Sequence, residues 1–301
     1  MNLKYLTPLL LPLFAGCASL SGDLSPPPAL RLSTDYSVRR DIVYTPQSWP
    51  APLQADLYQP KGAGTWPAVL LIYGGNWSAA DHRWQMQFIA RKLARRGYVV
   101  LSAQYRGVPE NHFPAPLEDL RQALRWLRRH AAENHIDPAK IAAYGFSAGG
   151  HLAELIGTLD GPPEVRVQAV VAASAPSDLT LFGGGDVVAQ FLGGTLAEIP
   201  DVYRAASPVN HVSADDPPFF LYQGTNDETV SPEHSRVFKA ALDRAGVMNK
   251  LIWLKGRGHA SVLLLGSNAE DAAIDFLDAV LRAPARAGRP AATEVRDGGP
   301  M

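Results

Sequence analysis

Five residues, Gly145-Phe146-Ser147-Ala148-Gly149, carry the first chemical signal in the sequence. The strand-forming run Lys140-Ile141-Ala142-Ala143-Tyr144 leads in, and a helix-like run, Gly150-His151-Leu152-Ala153-Glu154-Leu155-Ile156, leads out. A serine on so tight a strand-to-helix turn has a strained backbone, and glycines beside it avoid the clash that bulkier neighbours would make. The turn lifts the hydroxyl above the sheet. It also sets the hydroxyl at a helix N-terminus, where free N–H groups can stabilise an oxyanion. The pattern therefore makes Ser147 a candidate nucleophile. A plain glycine-rich turn is the alternative, and the flanking strand and helix argue against it.

A serine hydroxyl is a poor nucleophile at neutral pH and needs a base. Four histidines follow Ser147: His151, His211, His234 and His259. His259 lies directly after a strand, in Lys255-Gly256-Arg257-Gly258-His259, where a glycine-flanked loop can swing an imidazole over the serine. His234 falls early in a helix and reads as a solvated histidine. His211 reads as surface. His151 is one helical turn beyond Ser147, too near in sequence to fold back as its base, and is expected to pack beneath the turn. The acid that orients the imidazole belongs at the preceding strand end. Asp227, in Gln223-Gly224-Thr225-Asn226-Asp227, fits that position. Asp178 is the rival, since it too lies between serine and histidine and follows a strand, although it could equally cap a local turn. The last piece is Tyr73-Gly74-Gly75-Asn76-Trp77, at the end of an apolar run. Its glycines let backbone N–H groups point inward, and with the N–H of Ala148 they can hold a tetrahedral oxyanion.

These residues need a scaffold, and the pattern of strands and helices supplies one. Residues 38–44 and 55–58 read as two antiparallel opening strands. Residues 67–73, 98–102, 167–173, 218–222 and 250–254 are short apolar runs, as expected of strands covered on both faces. Helical stretches are expected at 83–96, 117–132, 233–245 and 269–281; in the second, Leu117, Leu120, Leu124 and Leu127 share one face. Alternating strands and helices predict an α/β fold: a mostly parallel twisted sheet with helices on both faces. Ligands in such sheets sit beyond the carboxyl ends of the strands, which is where Ser147 falls. Residues 181–210 read as a glycine-rich loop without a long apolar lid.

Composition narrows the function classes. The chain has 301 residues, 47% hydrophobic, with a formal net charge of −1 and no long run of one sign. Nothing here attracts nucleic acid. No metal-ligand cluster and no phosphate-type glycine motif is visible, so neither a metal nor a cofactor is expected. At the N-terminus a positive Lys4 precedes the short apolar run Leu9-Leu10-Leu11-Pro12-Leu13-Phe14-Ala15, then Gly16 and Cys17. This reads as a secretory signal over residues 1–16, too short for an ordinary membrane span. Cys17 is the single cysteine, so no disulfide can form within the chain. The proline-containing residues 17–34 read as a tether, residues 35–282 as the folded domain, and residues 283–301 as a disordered tail.

Two resemblances follow from these motifs. The run ending in Phe14-Ala15-Gly16-Cys17 resembles the bacterial lipoprotein box. It implies cleavage before Cys17, lipid on that cysteine, and a membrane-anchored protein of the cell envelope. If the source is Gram-negative, Ala18 after the cysteine points to the outer membrane. Residues 38–281 resemble the α/β-hydrolase superfamily. The similarity is to small esterases related to hormone-sensitive lipase that carry a His-Gly-Gly-x-Trp motif, a group that includes kynurenine formamidase and isoprenylcysteine methylesterase. It rests on Gly74-Gly75-x-Trp77, Gly145-x-Ser147-Ala148-Gly149-Gly150-His151-Leu152, Asp227 and His259. The resemblance implies Ser147 as nucleophile, Asp227 as acid, His259 as base, and Gly75, Asn76 and Ala148 as oxyanion donors. Tyr73 stands where the group usually has histidine, and the opening strands leave little room for an N-terminal cap. The expected activity is hydrolysis of short-chain carboxylic esters. An aminopeptidase or formamidase on the same fold, or a catalytically silent ligand-binding lipoprotein, are the alternatives.

Overall fold

The computed structural model describes residues 33–182, 186–265 and 267–282. Cys17, the signal segment, most of the tether and the tail lie outside them. Strand β1 (Tyr36–Val43) pairs antiparallel with β2 (Gln54–Pro60). The chain then alternates: β3 (Trp66–Ile72), α1 (Gln87–Arg95), β4 (Val99–Ala103), α2 (Ala115–Arg129), β5 (Ile136–Phe146), α3 (Ala148–Thr158) and β6 (Ala169–Ala173). Two short helices follow, α4 (Asp186–Leu192) and α5 (Pro200–Ala205). The rest is β7 (Phe219–Gly224), α6 (Pro232–Ala245), β8 (Asn249–Leu254), α7 (His259–Leu265) and α8 (Ser267–Leu281).

The sheet has eight strands in the order β1-β2-β4-β3-β5-β6-β7-β8. Strand β2 is antiparallel to β4, and every pairing from β4 to β8 is parallel. The apolar runs form its centre because both faces are covered. Leu70, Leu71, Ile72, Val99, Val100 and Leu101 have no exposed surface. Burying each such side chain contributes about 1.5–3 kcal/mol before entropy is counted. Helices α2 and α3 pack on one another over β5. On the other face α1 and α8 are joined by Lys92 to Glu270 at 2.8 Å and Arg96 to Asp278 at 2.8 Å. Leu117, Leu120, Leu124 and Leu127 are the buried face of α2, as their spacing predicts.

Three elements differ from the sequence reading. The stretch expected as one helix over 83–96 opens as a 3₁₀ turn, Arg83–Met86, and becomes α-helical only at Gln87. Arg83 fixes that turn by binding Asp56, Asp41 and Asp81 at 2.9, 2.8 and 2.7 Å. His259 does not sit in an open loop but is the first residue of α7. Of the stretch expected as a loop over 181–210, residues 186–210 hold α4 and α5, with Val188, Phe191 and Leu192 buried, and form a wall rather than a plain loop. Helices of six or seven residues are too short to display a period in sequence.

Candidate active site

Ser147 sits between β5 and α3 with φ 54° and ψ −125°. A side chain rarely adopts such a conformation, and it persists only where surrounding structure holds it. Its N–H donates to the Ala173 carbonyl at 2.8 Å, and its carbonyl accepts the His151 N–H at 3.0 Å. Gly149 lets α3 start hard against β3, since a Cβ there would stand 2.2 Å from the Ile72 carbonyl oxygen.

The structure brings Ser147, His259 and Asp227 together from three strand ends. His259 Nε2 lies 2.9 Å from Ser147 Oγ, and His259 Nδ1 lies 2.8 Å from Asp227 Oδ2. A carboxylate can only accept, so Nδ1 carries the proton and Nε2 is left to accept from the hydroxyl. Asp227 is 3% exposed and fully engaged. Its Oδ1 accepts the N–H groups of Thr229 and Val230 at 3.1 and 2.9 Å, and its Oδ2 also accepts Gln223 Nε2 at 3.0 Å. Burial pushes this carboxyl up, but the His259 and Val230 hydrogen bonds outweigh it and hold it below the usual carboxylate range.

The loop after β3 approaches the serine from the other side. Gly74 N–H donates to Gln85 Oε1 at 2.9 Å and is thereby occupied. Gly75 has φ 123°, and a Cβ there would meet the His82 ring at 2.5 Å. Asn76 and Trp77 follow at φ 56° and 54°. Ala148 is the first residue of α3, where the N–H has no partner within the helix. Asn76, Trp77, Ser147 and Ala148 together line a cavity of about 270 Å³. Its remaining walls are mostly apolar: Pro176, Phe182, Val187, Val188 and Val230, with Asp186 and Thr229 as polar exceptions. Developing negative charge on a substrate oxygen in this cavity would face the helix N-terminus.

Tyr73, the departure from the usual histidine, is absorbed by Tyr105. The two rings stack at 4.6 Å, Tyr73 Oη accepts the Tyr105 N–H at 3.4 Å, and Tyr105 Oη donates to the Tyr73 carbonyl at 3.2 Å. Burial pushes the Tyr73 hydroxyl well up, so it stays protonated.

The other candidates separate cleanly. Asp178 turns its carboxylate on Thr180, accepting the N–H at 3.0 Å and the hydroxyl at 2.6 Å, so it caps a local turn. His211 stays in its loop and meets the Ala205 carbonyl at 2.8 Å. His234 corrects the expectation of a solvated ring. It is 1% exposed, packs on Phe182 at 4.8 Å and accepts the Asp178 N–H at 3.3 Å. Burial lowers its pKa to about 4. His151 lies under the turn as expected. Sequence reasoning gave no role to Gln223, Gln85 or Phe191. Gln223 leaves a trace, a lone amide in an apolar strand; it is completely buried, and its Oε1 accepts Ser235 Oγ at 3.1 Å.

Comparison with known proteins agrees with this architecture. The family model BD-FAE matches residues 55–242, more than half of the chain. A probable carboxylic ester hydrolase of Mycobacterium tuberculosis, LipM, is 32% identical over 250 residues, covering 75% of this chain and 56% of that protein. The chain thus spans little more than half the length of this relative. Among solved structures, a truncated carbohydrate esterase from gut microbiota superposes with a TM-score of 0.74 at 26% identity, covering 85% of this chain and 99% of that one. A butyrate-bound thermophilic esterase of Thermogutta terrifontis, Est2, gives 0.68 at 27% identity, covering 84% and 96%. By fold, motif and family model, the chain belongs to the BD-FAE family and to the α/β-hydrolase esterase group.

Proposed function

We propose that this protein is a carboxylic ester hydrolase that works through a serine acyl-enzyme and favours short acyl groups. The reading is carried by the continuous hydrogen-bond line from Ser147 through His259 to Asp227, with Ser147 lining a small apolar cavity. In the first half-reaction Ser147 Oγ attacks the ester carbonyl carbon while His259 Nε2 takes its proton. The carbonyl electron pair moves to oxygen, where the N–H groups of Ala148, Asn76 and Gly75 hold it. Collapse breaks the bond to the alcohol, which leaves with the proton from His259. Water then attacks the acyl-Ser147 carbonyl and gives His259 a proton. The second collapse returns that proton to Ser147 and frees the carboxylic acid.

The cavity size supports the acyl preference. About 270 Å³ is below the roughly 300–1,000 Å³ of pockets that hold drug-sized ligands. An acyl tail that outgrows it stays in water and forfeits about 0.8 kcal/mol per methylene left unburied. Similarity to an esterase solved with butyrate bound points the same way. The expected result is a maximum of kcat/KM at acetyl to butyryl in a series of p-nitrophenyl esters, with a fall by octanoyl. A maximum at ten carbons or beyond would overturn the short-chain reading. Labelling of Ser147 by a fluorophosphonate separates this reading from a silent ligand-binding protein, which would take no label.

Lipid on Cys17 is the second part of the proposal, motivated by its place after Leu13-Phe14-Ala15-Gly16 and its solitary status. More than one acyl chain is needed for firm membrane attachment. Cells fed a fatty-acid analogue should yield labelled wild type and unlabelled Cys17→Ser, the variant remaining uncleaved or soluble. Absence of label on the wild type sinks this part.

A further inference from the structure

We propose that His151 is a positioning residue for the oxyanion hole, its imidazole tying the loop that carries Gly75 and Asn76 to the helix that carries Ala148. The proposal rests on the hydrolase reading of the site. Two separate pieces of backbone must supply the donors for one oxygen atom, so their spacing has to be fixed. The loop comes from the end of β3 and the helix from the end of β5, and the pairing of those strands ends at Ile72 and Gly145, before either donor segment begins. Trp77 Nε1 donates to His151 Nδ1 at 3.1 Å. His151 stands one turn along α3 from Ser147, with its N–H bonded to the Ser147 carbonyl at 3.0 Å. One side-chain bond thus pins the loop to the element that presents the nucleophile and Ala148.

The surroundings fit that task. Trp77 has φ 54° and follows Asn76 at 56°, two consecutive left-handed residues that are not glycine. Such strain lasts only where the fold over-determines it. Trp77 is 2% exposed, stacks on Phe191 of α4 at 4.4 Å and 9°, and meets the His151 ring edge-on at 5.3 Å. Its carbonyl accepts the Val108 N–H at 2.9 Å. On the far side of the imidazole, His151 Nε2 lies 2.7 Å from the Ala206 carbonyl. A carbonyl cannot donate, so Nε2 carries the proton and Nδ1 is held as the acceptor that the indole requires. The ring is completely buried, and burial lowers its pKa to about 4, so it stays neutral at ordinary pH. The wall formed by α4 and α5 therefore contributes Phe191 to one face of Trp77 and, through Ala206, sets the tautomer of the ring that holds it.

The test compares His151→Leu, His151→Gln, Trp77→Phe and the double variant Trp77→Phe/His151→Leu with p-nitrophenyl acetate as substrate. Small displacements of catalytic groups cost up to about 100-fold in rate. His151→Leu is expected to lose about 10- to 100-fold in kcat with KM nearly unchanged. His151→Gln keeps an acceptor and a donor on one side chain and should recover most of that loss. Trp77→Phe removes the N–H while keeping an aromatic ring on Phe191, so it decides the question even if His151→Leu fails to fold. The double variant should be no worse than the poorer single one, because both remove the same bond. Losses that multiply, a Gln variant as poor as Leu, or a full kcat in Trp77→Phe would overturn the proposal. A second readout is independent of turnover. The Trp77 indole N–H resonance, assigned by its loss in Trp77→Phe, should shift and lose exchange protection in His151→Leu. An inactive wild type would refute the hydrolase reading, whereas an indole resonance indifferent to His151→Leu would refute this one.

Discussion

Ser147→Ala is expected to lower turnover of p-nitrophenyl acetate by about 10⁴–10⁶ while leaving the fold intact. The size of the effect follows from what the hydroxyl does. In the proposed mechanism it is the atom that forms the acyl bond, and among the described residues no other hydroxyl is hydrogen-bonded to His259 Nε2. The fold survives because the change is small. Alanine keeps the Cβ, so the strained turn at φ 54° is no worse for it, and both backbone bonds of residue 147, to Ala173 and from His151, are untouched. The lost partner, His259 Nε2, belongs to a ring whose side chain is 17% exposed and can turn to water. His259→Ala should be similarly inert, and the double variant no poorer than either, since groups that act as one unit are strongly non-additive. The measurement pairs kcat with thermal unfolding. A Ser147→Ala protein that keeps more than about a tenth of wild-type turnover would reject Ser147 as the nucleophile.

Much of the site was legible because its parts are tied to strand ends. Ser147, Asp227 and His259 each follow an apolar run, and in a parallel sheet those ends meet on one edge. The glycines at 74, 75 and 149 are likewise visible: Gly74 and Gly149 stand close against neighbouring backbone, and Gly75 takes φ 123° beside the His82 ring. What sequence does not display is the support between distant segments. Gln85 reaches Gly74 only because Arg83, bound to Asp41, Asp56 and Asp81, holds the 3₁₀ turn in place. Phe191 lies on Trp77 across 114 positions of chain, on a helix of seven residues. His234 read as solvated from its place in α6, yet it is buried because residues 178–182 fold over it. Such contacts arise from tertiary packing, which neither periodicity nor propensity encodes.

The acid assignment is where two sequence candidates can be set against one another. Asp227→Asn is expected to cut kcat by about 10⁴. The cause is the tautomer rather than the loss of charge alone. In the native site Asp227 Oδ2 accepts from both His259 Nδ1 and Gln223 Nε2, while Oδ1 accepts from Thr229 and Val230. An amide at this position has one acceptor for those two pairs of donors. If its oxygen serves Thr229 and Val230, its NH₂ confronts the Gln223 NH₂ and the imidazole N–H. The imidazole escapes by moving its proton to Nε2, where it faces the Ser147 hydroxyl and can no longer accept from it. Gln223 is held by Ser235 and by the Val230 carbonyl at 3.1 Å, so it does not turn aside easily. Asp178→Asn should behave differently. Its Oδ1 accepts from Thr180, and an asparagine oxygen accepts from Thr180 equally well. That exchange should change kcat by no more than about threefold, in line with substitutions that disturb no buried network. The two variants are compared at one pH with thermal unfolding measured alongside, so that a folding defect is not read as a catalytic one. If Asp178→Asn were the more damaging of the pair, the acid would be Asp178, and the hydrogen bonds around Asp227 would serve only to close the turn after β7.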